Sequence, residues 1–160
     1  VEQFMMYCKA MLFNDELMAS NILATDDPAR HKQYGRRARN FNKEAWEEHC
    51  RHYVYVGCRE KFIQNPELLA ALFATAGSIL VEDSLNDTIW GIGMSRRDPD
   101  AVYPDRWRGT NWLGFILTEL RDRLLDGALF ELGAPSPDRM PWGVEYRNHR
   151  CLQDHGWCGL

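Results

Sequence analysis

No apolar run in this 160-residue chain approaches the roughly 20 residues that span a bilayer, and its start lacks the charged and short apolar regions of a secretory signal. A soluble protein of the cytoplasm, or of the nucleus in a eukaryote, is expected, with no membrane partner. A surplus of positive charge is missing too. Nineteen basic against 23 acidic side chains leave a net charge of −4, so no global field holds a nucleic-acid backbone and any such contact must be local. There is no P-loop and no nucleophile elbow, and Gly91-Ile92-Gly93 is too short for a dinucleotide-binding glycine pattern. The five cysteines (Cys8, Cys50, Cys58, Cys151, Cys158) are an odd number in a chain large enough to fold without staples, which reads as thiols in a reducing compartment. His49 and His52 beside Cys50, and His149, Cys151, His155 and Cys158 in the tail, match none of the usual zinc spacings, so neither metal nor cofactor is expected.

What is present is material for one core: 45% hydrophobic residues, 12% of all residues aromatic, in a length that suits a single domain. Helical spacing of Phe4, Met5, Cys8, Met11 and Leu12 predicts an amphipathic helix from residue 2 to about 13, with more helix over Leu17–Leu23. Asp27-Pro28 starts a short helix that Gly35 is expected to end. Asn42 caps the longest helix, with Trp46, Cys50, Tyr53 and Val54 as its inner stripe to about Gln64, and Pro66 opens a short one before Gly77. Ile79-Leu80-Val81, brief and largely β-branched, is the most strand-like run, so a small sheet is expected. Thr110 or Asn111 starts the last helix, which runs to about Leu125, and a packed but irregular extension follows to Leu160.

Three places carry residue types suited to chemistry. Glu2 and Lys9 stand seven residues apart, which on a helix returns a side chain to within about 20° of the same direction two turns on. The largely apolar neighbours of Lys9 favour a desolvated amine, hence a nucleophile, although a surface pair or a snorkelling lysine satisfies the spacing equally. The stretch from Glu82 to Gly91 places Asn86, Asp87 and Trp90 just past the expected strand. There Asp87 suits a sugar hydroxyl or a developing cation and Trp90 a stacked base, while an Asx-turn followed by a core tryptophan is the structural alternative. The basic knot Gly35-Arg36-Arg37-Ala38-Arg39 suits a pyrophosphate, or else complements a helix end.

The segments VEQFMMYCKAMLF, GRRARNFNKEAW, REKFIQNPELLAALFATAGSILVEDSLNDTIWGIG and WRGTNWLGFILTELRDRL together resemble the NADAR family, whose name refers to NAD and ADP-ribose. The resemblance covers roughly residues 1–125. It implies a mostly helical α+β fold, one NADAR-like domain over 1–125 with the extension over 126–160 packed upon it, and N-glycosidase activity. Some members hydrolyse phosphoribosylamino-pyrimidine intermediates of riboflavin biosynthesis, and others remove ADP-ribose from the amino group of guanine. The family's helical glutamate and lysine match Glu2 and Lys9, and its NDxxWG motif matches Asn86, Asp87, Trp90 and Gly91. Gly35 and Arg36 fit its GR motif, while Gly109, Asn111 and Gly114 fit its GxNxLG stretch, both as ligand-binding walls. Members usually begin with a strand and a Ser-Asn-Phe-type loop, and this chain opens at Val1 after that point, as though a strand and some ligand contacts lay upstream.

The resemblance thus makes Glu2, Lys9 and Asp87 the catalytic set and Trp90, Asn86, Gly91, Gly35, Arg36 and Asn111 the substrate wall. Two routes to cleavage between ribose C1 and an amine nitrogen fit. Lys9 captures the ring-opened C1 as an imine, with Glu2 moving protons and Asp87 holding ribose hydroxyls; or Glu2 or Asp87 activates water directly and Lys9 orients the sugar. The leading substrate is guanine-linked ADP-ribose, in a small molecule or on nucleic acid. A riboflavin-pathway phosphoribosylamine is the alternative, and a non-catalytic module binding ADP-ribose or NAD is the third reading.

Overall fold

The computed structural model describes residues 1–131, with side chains to residue 128. Helices come in the order α1 (Glu2–Leu12), α2 (Glu16–Leu23), α3 (Pro28–Arg36), α4 (Lys43–Ile63), α5 (Pro66–Phe73) and α6 (Trp112–Glu131), with two 3₁₀ turns, Pro99–Val102 and Pro104–Arg106, before the last. Val1–Arg121 is one compact unit and Asp122–Leu160 a second, the latter described only where α6 continues to Glu131. Apart from residues 126–131, which belong to α6, the expected C-terminal extension lies outside the described residues, as do Cys151, Cys158, His149 and His155.

Local chemistry sets the helix ends. Helix α1 closes in a Schellman motif: Asn14, left-handed at φ 55°, donates its N–H to Met11 O at 3.0 Å, and Asp15 N–H reaches Ala10 O at 2.9 Å. Asp15 then caps α2 through Met18 N–H at 3.3 Å, Asp27 caps α3 through Ala29 N–H at 2.9 Å, and Asn42 caps α4 through Ala45 N–H at 2.8 Å. Gly35 does not end α3, contrary to expectation, because its missing side chain is used for packing. A Cβ there would lie 2.1 Å from Met6 Sδ, so glycine lets α3 close onto α1.

Helix α1 packs against α2, α3 and α4. Met6, Ala10, Ala19 and Ile22 are buried together beneath Met5, Tyr7, Met18 and Tyr34. Along α4, Gly57 faces Phe4 while Trp46 lies near Lys9, so sequence rises along α1 as it falls along α4 and the two run antiparallel.

The expected small sheet is absent: among the described residues there is no strand, and this unit is helical rather than α+β. The physical reason lies in what satisfies Ile79-Leu80-Val81. Leu80 N–H donates to Thr118 Oγ1 at 2.9 Å, Leu80 O accepts from Asn111 Nδ2 at 3.0 Å, and Glu82 N–H donates to Asn111 Oδ1 at 3.0 Å. Side chains of and beside α6 thus do what a neighbouring strand would do, and no ladder forms.

Candidate active site

Lys9 lies near the end of α1 with its amine over two aromatic rings, 4.2 Å from the centroid of Phe41 and 5.4 Å from that of Trp46. It makes no ion pair and no hydrogen bond with any described residue. Burial, and then the neighbouring Arg36 charge, hold the Lys9 amine below the usual lysine range. Arg36, exposed at the end of α3, is likewise without a carboxylate among the described residues. Arg36 thus offers an anion a seat beside the Lys9 amine, and its charge favours the neutral form of that amine.

Glu2 does not pair with Lys9. Its Oε2 lies 3.6 Å from Lys32 Nζ on α3, while Oε1 is buried and takes no hydrogen bond from the described residues. The α1 axis separates Glu2 and Lys9 by about 10 Å at 1.5 Å rise per residue, and both side chains lean towards the N-terminus on the same face. That spacing suits two groups working on different atoms of one substrate.

The second group gathers at the start of α6. Asp87 Oδ1 accepts N–H bonds from Ile89 at 2.9 Å and Trp90 at 2.7 Å, so the Asx-turn reading of this loop is realised, and Oδ2 has no partner among the described residues. Trp90 is half-buried and meets Trp112 edge to face, with centroids 5.7 Å apart at 87°, and the Arg51 guanidinium of α4 lies 4.8 Å over the Trp112 ring. The α6 amides are already engaged: Trp112 and Leu113 N–H bind the carbonyls of Ile89 and Trp90 at 3.2 and 3.1 Å. Gly91 is buried, and a Cβ on it would lie 2.9 Å from the carbonyls of Asp87 and Glu82. Asn111 is fully buried, with both ends of its amide committed to Leu80 and Glu82, whereas Asn86 is exposed.

Lys9, Arg36 and Gly35 are therefore brought together with α1 and α4, and Asn86, Asp87, Trp90, Gly91 and Asn111 with the head of α6. No hydrogen bond or ion pair joins Glu2 or Lys9 to Asp87 among the described residues. Helix α4 contributes to both groups, through Trp46 and, five residues on, Arg51. Sequence reasoning missed Phe41, Lys32, Arg51 and Trp112 as contributors; Phe41 sits inside the GRRARNFNKEAW segment and Trp112 inside WRGTNWLGFILTELRDRL, and those positions were the available signal. Burial raises the thiols of Cys8 and Cys58 and pushes that of Cys50 up to about 11, which removes them as nucleophiles near neutral pH. Among the described residues no three His, Cys, Asp or Glu side chains converge as a metal site, and no helix is long and apolar enough to cross a membrane.

The NADAR domain family model matches residues 1–125. The chain is 39% identical over 121 residues to N-glycosidase R617 of Acanthamoeba polyphaga mimivirus, a match covering 76% of this chain and 71% of the viral protein. It is 40% identical over 126 residues to Protein irg-1 of Caenorhabditis elegans (77% of this chain, 59% of the relative) and 33% identical over 118 residues to N-glycosidase YbiA of Escherichia coli strain K12 (74% and 67%). The match thus spans less than two thirds of the nematode protein and about two thirds or somewhat more of the other two. With the family model covering its first 125 residues and a viral relative at 39% identity, this chain belongs to the NADAR domain family.

Proposed function

We propose that this chain is a hydrolase of N-glycosidic bonds that cleaves ribose C1 from an amine nitrogen, and that its substrate is ADP-ribose carried on the guanine amino group. The observation that carries this reading is the Lys9 amine, held over the Phe41 ring beside Arg36, with no carboxylate among the described residues paired to either side chain. Relatives named N-glycosidases support the reaction class. Arg36, exposed and without a carboxylate among the described residues, supplies a seat for the pyrophosphate, while Trp90 offers a face for the base.

In this mechanism the ribose ring opens to a C1 imine with guanine, and Lys9 Nζ adds to C1. Guanine departs with its amino nitrogen protonated, leaving an imine on Lys9. Water then adds to C1, the C–N bond to Lys9 breaks, and ADP-ribose leaves with the amine restored. One water is consumed per turnover. Glu2, whose buried Oε1 takes no hydrogen bond from the described residues, moves the protons, and Asp87 Oδ2 takes a ribose hydroxyl. Any nucleic-acid partner is contacted locally, around the modified guanine.

The test is release of free ADP-ribose from ADP-ribosylated guanosine by the parent, Lys9→Ala and Glu2→Gln, run beside the phosphoribosylamino-pyrimidine substrate. Release from guanosine by the parent and its loss in both variants is the expected result. Turnover of the pyrimidine compound alone overturns the guanine assignment, and tight ADP-ribose binding without release of either product overturns the enzyme.

A further inference from the structure

The geometry points to Phe41 as the residue that presents Lys9 for attack, held at its post by Asp15 through Arg39. This inference rests on the imine reading of Lys9 and adds a positioning residue to it.

Phe41 lies in the connector between α3 and α4, where nothing in helical periodicity marks it. The residue is 46% exposed, and its ring lies edge to face against Phe13, with centroids 5.3 Å apart at 71°. The Lys9 amine lies against that ring at 4.2 Å. A primary amine on four methylenes has many rotamers; a ring face attracts its ammonium form, far more weakly than a carboxylate would, and packs against the stem of the neutral form without a hydrogen bond that would have to break before attack. A carboxylate in the same place would hold the ammonium form and block the nitrogen. Phe41 and Trp46 therefore locate the amine and leave its reactive direction unengaged.

The connector is fixed from below. Asp15, wholly buried at the α1–α2 corner, takes Arg39 N–H on Oδ2 at 2.8 Å and the Arg39 guanidinium on Oδ1 at 3.0 Å. Asn40 follows in the left-handed region at φ 55° and delivers Phe41 to Phe13, two residues before Asp15. One carboxylate thus links the corner that bears Phe13 to the connector that bears both Arg36 and Phe41. The Arg39 contacts also hold the Asp15 carboxyl below its usual range, so it remains an acceptor at working pH.

The experiment is reductive trapping with ADP-ribose and borohydride on the full chain. Lys9 Nζ adds to the C1 aldehyde of ring-opened ADP-ribose, water leaves, and hydride adds to the C=N carbon to give a stable secondary amine, read by mass spectrometry of the Lys9 peptide. Parent, Phe41→Tyr, Phe41→Leu and Asp15→Asn are compared, with kcat and KM on ADP-ribosylated guanosine measured alongside. Phe41→Tyr keeps the ring face and traps within about twofold of the parent, while Phe41→Leu traps about tenfold or more slowly, in line with the cost of a misplaced reacting group. In Phe41→Leu the loss falls on kcat with KM little changed, a split that a merely loosened fold does not produce. Asp15→Asn offers one acceptor where two are used and follows Phe41→Leu; should it fail to fold, the half-exposed Phe41 variants still decide. Equal trapping by Phe41→Leu and parent overturns this inference and leaves the imine reading standing, as does a Phe41→Tyr variant as slow as Phe41→Leu. An active parent that yields no adduct overturns the imine reading itself, and this inference with it.

Discussion

Asn111 and Leu80 are joined by a part-buried bond, Nδ2 to carbonyl at 3.0 Å, across 31 residues of sequence. The other end of the same amide takes Glu82 N–H, so one side chain closes both ends of the segment that leads into the Asp87 loop. Asn111→Ala leaves two backbone groups unmatched at about 1–3 kcal/mol each and puts alanine at φ 52°, for a total of roughly 3–7 kcal/mol. Asn111→Gly relieves the backbone strain and is expected to recover about 1 kcal/mol of that. Urea unfolding of the three proteins measures both steps.

Arg121 is buried in the same unit, with Nη1 on the carbonyls of Thr75 at 2.7 Å and Ser78 at 2.8 Å, tying the turn after α5 to α6. Arg121→Met fills the space but leaves those carbonyls without this donor. A loss of about 2–5 kcal/mol is expected, readable as a lower denaturation midpoint with little change in slope.

Met6 and Gly35 offer a test of packing alone. Gly35→Ala forces Met6 aside and is expected to destabilise by about 1–3 kcal/mol. Met6→Ala creates a cavity by itself, yet the double variant should cost less than the sum of the two, because each relieves the fault of the other. Strict additivity in the double-mutant cycle rejects direct contact as the reason for glycine at 35.

Asp87 separates the demands of loop shape from those of substrate. Asp87→Asn keeps an oxygen for the N–H groups of Ile89 and Trp90, so stability should stay within about 0.5 kcal/mol of the parent. Activity falls by about tenfold or more if the carboxylate holds a ribose hydroxyl, as the mechanism requires. Asp87→Ala lowers both stability and activity. Melting curves beside kcat/KM distinguish the two effects, and full activity in Asp87→Asn removes the carboxylate charge from the mechanism.

The pH dependence follows from Lys9. Its amine must be unprotonated to attack, so activity rises with pH through the Lys9 pKa. Burial and the Arg36 charge hold that pKa down, and the acid limb of kcat/KM therefore lies below where an exposed lysine would put it. Arg36→Gln removes one of the two causes and moves the limb to higher pH, by less in high salt, where the Arg36 charge is already screened. A limb unmoved at low salt assigns it to another group.

The helices were legible in the sequence because their signals are local: Asp27 before Pro28, Asn42 before an acidic first turn, Pro66 opening α5. The strand was misread for the opposite reason, since Ile79-Leu80-Val81 carries strand residues but draws its partners from Asn111 and Thr118, whose approach no local pattern announces. Gly35 looked like a helix terminator and is a contact surface for Met6, a distinction made by the neighbouring helix. At the candidate site, Lys9 and Glu2 were singled out by resemblance, since their spacing fits a surface pair equally. Phe41 was not, because its position depends on Asp15, met only when the chain folds back on itself.

The knot at Asp15 also bears on how this chain can vary in length. Its two corners, at 13–15 and 39–41, each turn on a left-handed asparagine, Asn14 and Asn40, and are pinned to one carboxylate. An inserted or deleted residue at either corner cannot be absorbed there, because it would carry a ring, a cap and the floor beneath Lys9 out of step together. Length changes in homologues should therefore collect elsewhere, in the stretch of 3₁₀ turns around residues 97–106, while the spacing from Gly35 to Asn42 stays fixed.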